Sequence, residues 1–130
     1  MSVRVFIADD VADVRELLRA QLAGDPDLDV VGEAANGRAA LEGILHTEPD
    51  VALVDLSMPA LDGVEVVRGL RDAGLDARVL VISAGTPAQE ARAREAGAHG
   101  YLSKPVPAAK LRAAVHQAAA AARTETSTAA

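Results

Sequence analysis

The sequence predicts an α/β fold in a single domain: a parallel sheet wound with right-handed crossovers and covered by helices on both faces. Five short apolar runs alternate with five stretches of helical periodicity. The middle run, Val51-Ala-Leu-Val54, is apolar without alternation, as befits a strand buried on both faces. A third observation is that reactive polar residues recur just after the apolar runs. In open α/β sheets that carboxyl edge is where ligands bind.

Composition sets the outer limits. The chain has 130 residues, half of them hydrophobic and a quarter charged, enough for one ordinary domain that buries about two-thirds of its unfolded surface. A net charge of -6 opposes direct nucleic-acid binding, which needs clustered Lys and Arg. Without cysteine there are no disulfides or thiolate metal sites. No apolar run reaches a membrane-spanning length, and Met1-Ser-Val-Arg-Val-Phe-Ile-Ala8 has no signal-peptide pattern. A cytoplasmic protein with no membrane contact is expected.

Val3 to Ala8 forms the first strand and ends at Asp9-Asp10. Val14, Leu17, Leu18 and Leu22 recur at helical spacing and mark the first helix, which Asp25-Pro26-Asp27 breaks. Leu28 to Glu33 is the second strand. Asn36-Gly37 opens a helix with Ala40, Leu41, Ile44 and Leu45 on its apolar side, and Pro49 ends it. The central strand then runs into Asp55, and Pro59 and Asp62-Gly63 stop the extended segment. Val64, Val67 and Leu70 mark the third helix, closed at Gly74.

Arg78 to Ser83 is the fourth strand and ends at a hydroxyl. Thr86-Pro87 has the form of an N-cap followed by proline at the first helical position. The helix it opens, reaching Gly97, has only Ala88, Ala91, Ala93 and Ala96 as non-polar positions, so it is expected to be held weakly. Gly100 to Ser103 is the last strand, and Lys104-Pro105 turns into a final helix with Leu111 and Val115 facing inward. The Ala118 to Ala122 run is helix propensity rather than a membrane anchor. Residues 3–122 are expected to form the domain, with 123–130 a disordered tail or linker stub.

Asp9 and Asp10, Asp55, Ser83 and Lys104 all fall at strand carboxyl ends, with no charge expected inside a strand core. Crowded carboxylates repel one another unless a cation neutralises them. Oxygen ligands without nearby His or Cys select Mg2+. Asp55 beside Mg2+ can attack phosphorus and form an acyl phosphate, while Lys104 and Ser83 supply a charge and a donor to the phosphoryl oxygens. His46, His99 and His116 have no such spacing, and Met58 reads as packing.

With these residues as they stand, from about Val3 to the last helix, the chain resembles the receiver domains of two-component response regulators. The matching motifs are the Asp9-Asp10 pair, Asp55-Leu-Ser-Met-Pro59 with Asp62-Gly63, Ser83-Ala84, Tyr101 and Lys104-Pro105. The resemblance implies a flavodoxin-like sheet of order 2-1-3-4-5. It implies that Asp55 accepts a phosphoryl group from a sensor histidine kinase or phosphotransfer protein in a phosphorelay. Asp10, Asp55 and the Ser57 carbonyl would bind Mg2+, with Asp9 acting through a metal-bound water. Lys104 would hold a phosphoryl oxygen, Ser83 would move towards the phosphate, and Tyr101 would turn inward. It also implies a cis Lys104-Pro105 bond, which the tight reversal into the last helix favours as well. Because helix 4 is held weakly, its face with strand 5 and helix 5 is expected to meet a downstream protein, an output domain or, on phosphorylation, a second copy. Such a receiver assists its own phosphorylation and dephosphorylation without being an enzyme in turnover.

Two other readings share parts of the pattern. An aspartyl-nucleophile, Mg2+-dependent phosphohydrolase usually carries Asp-x-Asp, whereas Ser57 stands two residues after Asp55 and no cap segment is present. A phosphorylation-independent, receiver-like scaffold typically lacks an acidic or lysine position, and here the set is complete. The stretch Asp25 to Gly37 is similar to receivers that precede helix-turn-helix domains, while Lys104-Pro105 and the tail are more like a receiver that stops here.

Overall fold

Each apolar run becomes a strand: β1 is Val3–Ala8, β2 Leu28–Ala34, β3 Val51–Val54, β4 Arg78–Ser83 and β5 Gly100–Ser103. The intervening helices are α1 Ala12–Ala23, α2 Gly37–Thr47, α3 Gly63–Asp72 and α4 Pro87–Ala96, and α5 Ala108–Ala129 closes the chain. The computed structural model describes residues 2–58 and 60–129, with side chains described through residue 122; Pro59 of the acceptor motif lies outside the described residues. All strand pairs are parallel and the sheet order is β2-β1-β3-β4-β5, the flavodoxin-like arrangement expected.

Strand alternation divides the core in two. Val5, Ile7, Val51, Leu53, Leu80 and Ile82 face α1 and α5, where Leu18, Leu22, Leu111 and Val115 meet them. Phe6, Ala8, Ala52, Val54, Val79 and Val81 face α2, α3 and α4. The three inner strands are thus apolar on both sides because both sides are covered.

The two faces are not anchored equally. α3 carries a capping box, with Asp62 accepting from the Glu65 amide at 2.9 Å, and buries Val64, Val66, Val67 and Leu70. α4 has the expected Thr86 cap and proline start, yet its buried residues are Ala93 and Ala96 alone, with Ala88 and Ala91 exposed. Polar ties supplement packing at α5. Arg112 donates to the Gln21 carbonyl at 3.3 Å, and His116 Nε2 lies 2.7 Å from Asp25 Oδ2. The His116 hydrogen bond holds the Asp25 carboxyl below its ordinary range.

Periodicity overstated two helices. Leu17 is 56% exposed and Leu45 39% exposed, because each helix meets the sheet along a narrower stripe than its leucines span. Arg4 falls inside β1, and Asp29 and Glu33 inside β2, correcting the expectation that strand interiors carry no charge; all three side chains are exposed. The α5 backbone continues to Ala129, past the boundary at residue 122 expected from composition. The Ala118 to Ala122 run favours that continuation, since extending a formed helix costs far less than starting one.

Leu53 is 1% exposed, packed under α1 and α5, so Leu53→Ala should lower unfolding stability by about 2–5 kcal/mol. Leu17→Ala should change it by no more than about 0.5 kcal/mol. Urea midpoints at constant slope measure both; equal losses would contradict the assigned burial.

Candidate functional site

β1 and β3 are hydrogen-bonded neighbours with Ala8 opposite Val54, so Asp9 and Asp55, the next residues along, leave the sheet side by side. The chain passes from β1 to β2 on one side and returns to β3 on the other, which makes this gap the point where strand order reverses. Gly63 lets α3 begin directly beneath Asp55: a Cβ there would stand 2.4 Å from the Asp55 carbonyl oxygen. The Lys104 amide donates to the Ser83 carbonyl at 3.1 Å, joining the ends of β4 and β5 to the same edge.

The expected residues converge. Asp9, Asp10 and Asp55 each offer an oxygen within 4.8 Å of the others. Lys104 Nζ is 2.7 Å from Asp9 Oδ2 and 3.6 Å from Asp55 Oδ2, so its hydrogen bond goes to Asp9 and its pairing with Asp55 is looser. The Lys104-Pro105 bond is cis, as expected. Ser83 is buried and Ser57 exposed. The Ser57 amide makes a long contact of 3.4 Å to Asp55 Oδ1. The Tyr101 hydroxyl is already buried, without a hydrogen-bond partner, and a Cβ built on Gly85 would stand 3.1 Å from it.

Asp9 is saturated. Its amide donates to the Ala34 carbonyl at 3.1 Å, Oδ1 accepts from the Val11 amide at 2.9 Å, and Oδ2 accepts from Lys104. Its carbonyl accepts from Arg15 Nη1 at 2.7 Å. Asp10 is exposed, which leaves its carboxylate available to a ligand. Arg15 also contacts Glu33 at 3.4 Å, and Arg19 pairs with the same Glu33, whose carboxyl it holds below its ordinary range. The sequence carried no signal for this trio, because Glu33 is 18 residues from Arg15 on another element.

Burial is the largest influence on Asp55 and pushes its carboxyl above the ordinary 3.8; the Asp9 and Asp10 charges push the same way, and Lys104 and the Ser57 amide oppose them. For Lys104, burial favours the neutral amine, but the Asp9 hydrogen bond and the Asp55 and Asp9 charges outweigh it and raise its pKa. The donor set near the cluster is all oxygen. His116 is engaged with Asp25, and His99 Nδ1 accepts from the Val79 amide at 3.0 Å. An oxygen-only, triply acidic cluster suits a hard divalent cation such as Mg2+. Met58 is packed in the core, as expected.

A carboxyl whose pKa is raised by folding adds stability below its unfolded pKa and loses it as pH rises through the folded value. Without divalent cations, Asp55→Asn should therefore be more stable than the parent chain at pH 7. The gain should shrink as pH falls towards 3.8. Thermal melts at pH 7 and pH 4.5 check the sign; equal stabilities at pH 7 would refute it.

A family model described as the response regulator receiver domain matches residues 5–116. The chain is 38% identical over 106 residues to a protein-glutamate methylesterase/protein-glutamine glutaminase of Nocardioides sp., covering 79% of this chain and 29% of that protein. It is 36% identical over 117 residues to the nitrate/nitrite response regulator protein NarL of Escherichia coli K12, covering 89% of this chain and 54% of that one. The chain thus spans about half or less of the length of these relatives. Among solved structures it resembles the signal receiver domain of the response regulator NarL from Mycobacterium tuberculosis, with TM-score 0.88, 41% identity and coverage of 91% and 96% of the two chains. The response regulator domain of Thermotoga maritima CheB gives TM-score 0.76 at 28% identity, covering 95% and 96%. The acidic edge, the β2-β1-β3-β4-β5 sheet and these matches agree: the chain belongs to the receiver domain family of two-component response regulators.

Proposed function

We propose that Asp55 is the phosphoacceptor and that this chain is switched by phosphoryl transfer from a phosphohistidine on a sensor kinase or phosphotransfer protein. The observation that carries the reading is a carboxylate 6% exposed, 3.6 Å from an ammonium and crowded by two further acids at the sheet's switch point. An Asp55 oxygen attacks phosphorus, the P–N bond to histidine breaks, and the imidazole nitrogen keeps that electron pair and takes up a proton. Lys104 holds a phosphoryl oxygen, and the Ser83 hydroxyl donates to another. Asp10, Asp55 and the Ser57 carbonyl would hold Mg2+, while Asp9, with both carboxylate oxygens engaged, would act through water. When bound, the cation would neutralise developing charge on the phosphoryl group.

The chain acts as a signalling domain that assists its own phosphorylation and dephosphorylation, and not as a phosphohydrolase in turnover. Its acidic balance opposes direct nucleic-acid binding by the chain itself. Among the described residues no helix is long and apolar enough to cross a membrane. The moving face comprises α4, β5 and α5. α4 is anchored by two alanines, so a shift of Ser83 and Tyr101 displaces it most readily and exposes a surface to a downstream protein, an output domain or a second copy. Residues 3–122 form the receiver unit and 123–130 a tail or linker.

Incubation with phosphoramidate and Mg2+ should add one phosphoryl group by intact mass, and Asp55→Asn should abolish the addition. Labelling of that variant at the parent rate would place the acceptor elsewhere and favour another reading. Hydrogen exchange with and without beryllofluoride should change most in α4 and β5. A response confined to α2 and α3 would defeat the assigned face.

A further inference from the structure

Arg15 reaches the acid cluster from α1 without belonging to it. Its side chain is 17% exposed, and its guanidinium is forked: Nη1 donates to the Asp9 carbonyl at 2.7 Å, and Nε points at Glu33 Oε1 at 3.4 Å. Glu33 is held from the other side by Arg19, through Nε at 3.0 Å and through a second guanidinium nitrogen. The next residue of β2, Ala34, accepts the Asp9 amide. The end of β2 therefore grips Asp9 directly through Ala34 and indirectly through Glu33 and Arg15.

The Asp9 carbonyl and the Asp10 N–H share one rigid planar peptide. A donor fixed on that oxygen sets the tilt of the plane, and the tilt sets where the exposed Asp10 carboxylate points. Neither nitrogen of Arg15 that makes these contacts addresses a carboxylate of the cluster. We propose that Arg15, anchored by Glu33, is a positioning residue that holds the Asp9-Asp10 peptide so that Asp10 is presented to the divalent cation it shares with Asp55. This rests on the Mg2+ site proposed above.

Position and charge make opposite demands here. A guanidinium close to the acids repels an incoming cation, so if Arg15 acted only as a charge its removal would tighten Mg2+ binding. If it acts on the peptide, its removal loosens binding, and hydrogen bonds one shell out from a metal commonly carry about 10–100-fold in affinity. Calorimetric titration of the full chain with Mg2+ distinguishes the two.

Arg15→Gln should weaken Mg2+ affinity about tenfold, and Arg15→Lys, whose ammonium can still reach the Asp9 carbonyl, should recover most of it. Arg19→Gln removes the same charge but leaves the carbonyl contact, and should stay within about twofold of the parent or bind more tightly. Phosphoramidate labelling of Arg15→Gln at saturating Mg2+ should return to within about threefold of the parent rate. Circular dichroism checks folding, and Glu33→Gln, which frees the guanidinium while retaining it, should give an intermediate loss if Arg15→Gln does not fold. Unchanged or tighter binding by Arg15→Gln, or an equal loss in Arg19→Gln, overturns the assignment. A parent chain that takes up no Mg2+ overturns the metal reading itself.

Discussion

Three carboxylates at one end of a sheet, two of them buried, are the constraint on which the rest of this molecule depends. Left alone they would repel one another. Lys104 relieves part of that repulsion by a short bond to Asp9 and a longer one to Asp55. Everything nearby serves to hold this arrangement: Gly63 lets α3 start beneath Asp55, and the Ser83 carbonyl anchors the Lys104 amide. The ammonium spends its close contact on Asp9, so Asp55 remains the less satisfied acid.

The two layers around the sheet divide the work. Leu18, Leu22, Leu111 and Val115 lock α1 and α5 to one face, with polar ties between α5 and the end of α1. On the other face α3 is fastened by valines and a capping box, while α4 rests on Ala93 and Ala96. Burial of a methyl group is worth far less than burial of a leucine side chain, so the molecule has a stiff side and a yielding side built from the same sheet. The yielding side adjoins Tyr101 and Ser83, the latter at the carboxyl end of its strand.

Much of this was legible beforehand because it is local or periodic. Strand limits coincided with apolar runs at Val3–Ala8, Val51–Val54 and Arg78–Ser83, and the Thr86-Pro87 cap and the alanine-only face of α4 came directly from side-chain types. Leu17 and Leu45 were misplaced because a periodic pattern shows which residues share a helix side and not how wide a stripe the sheet covers.

The sequence alone determined the alternation of elements, the parallel sheet and the set of residues gathered at its carboxyl edge, since each follows from side-chain period and from position after a strand. Tertiary structure decided who touches whom. That Lys104 bonds Asp9 more closely than Asp55, that the Tyr101 hydroxyl is buried, and that Arg15 and Glu33 brace the Asp9-Asp10 peptide are outcomes of strands and helices far apart in the chain. Such contacts depend on distances of a few ångströms set by packing, and no spacing along a single chain encodes them.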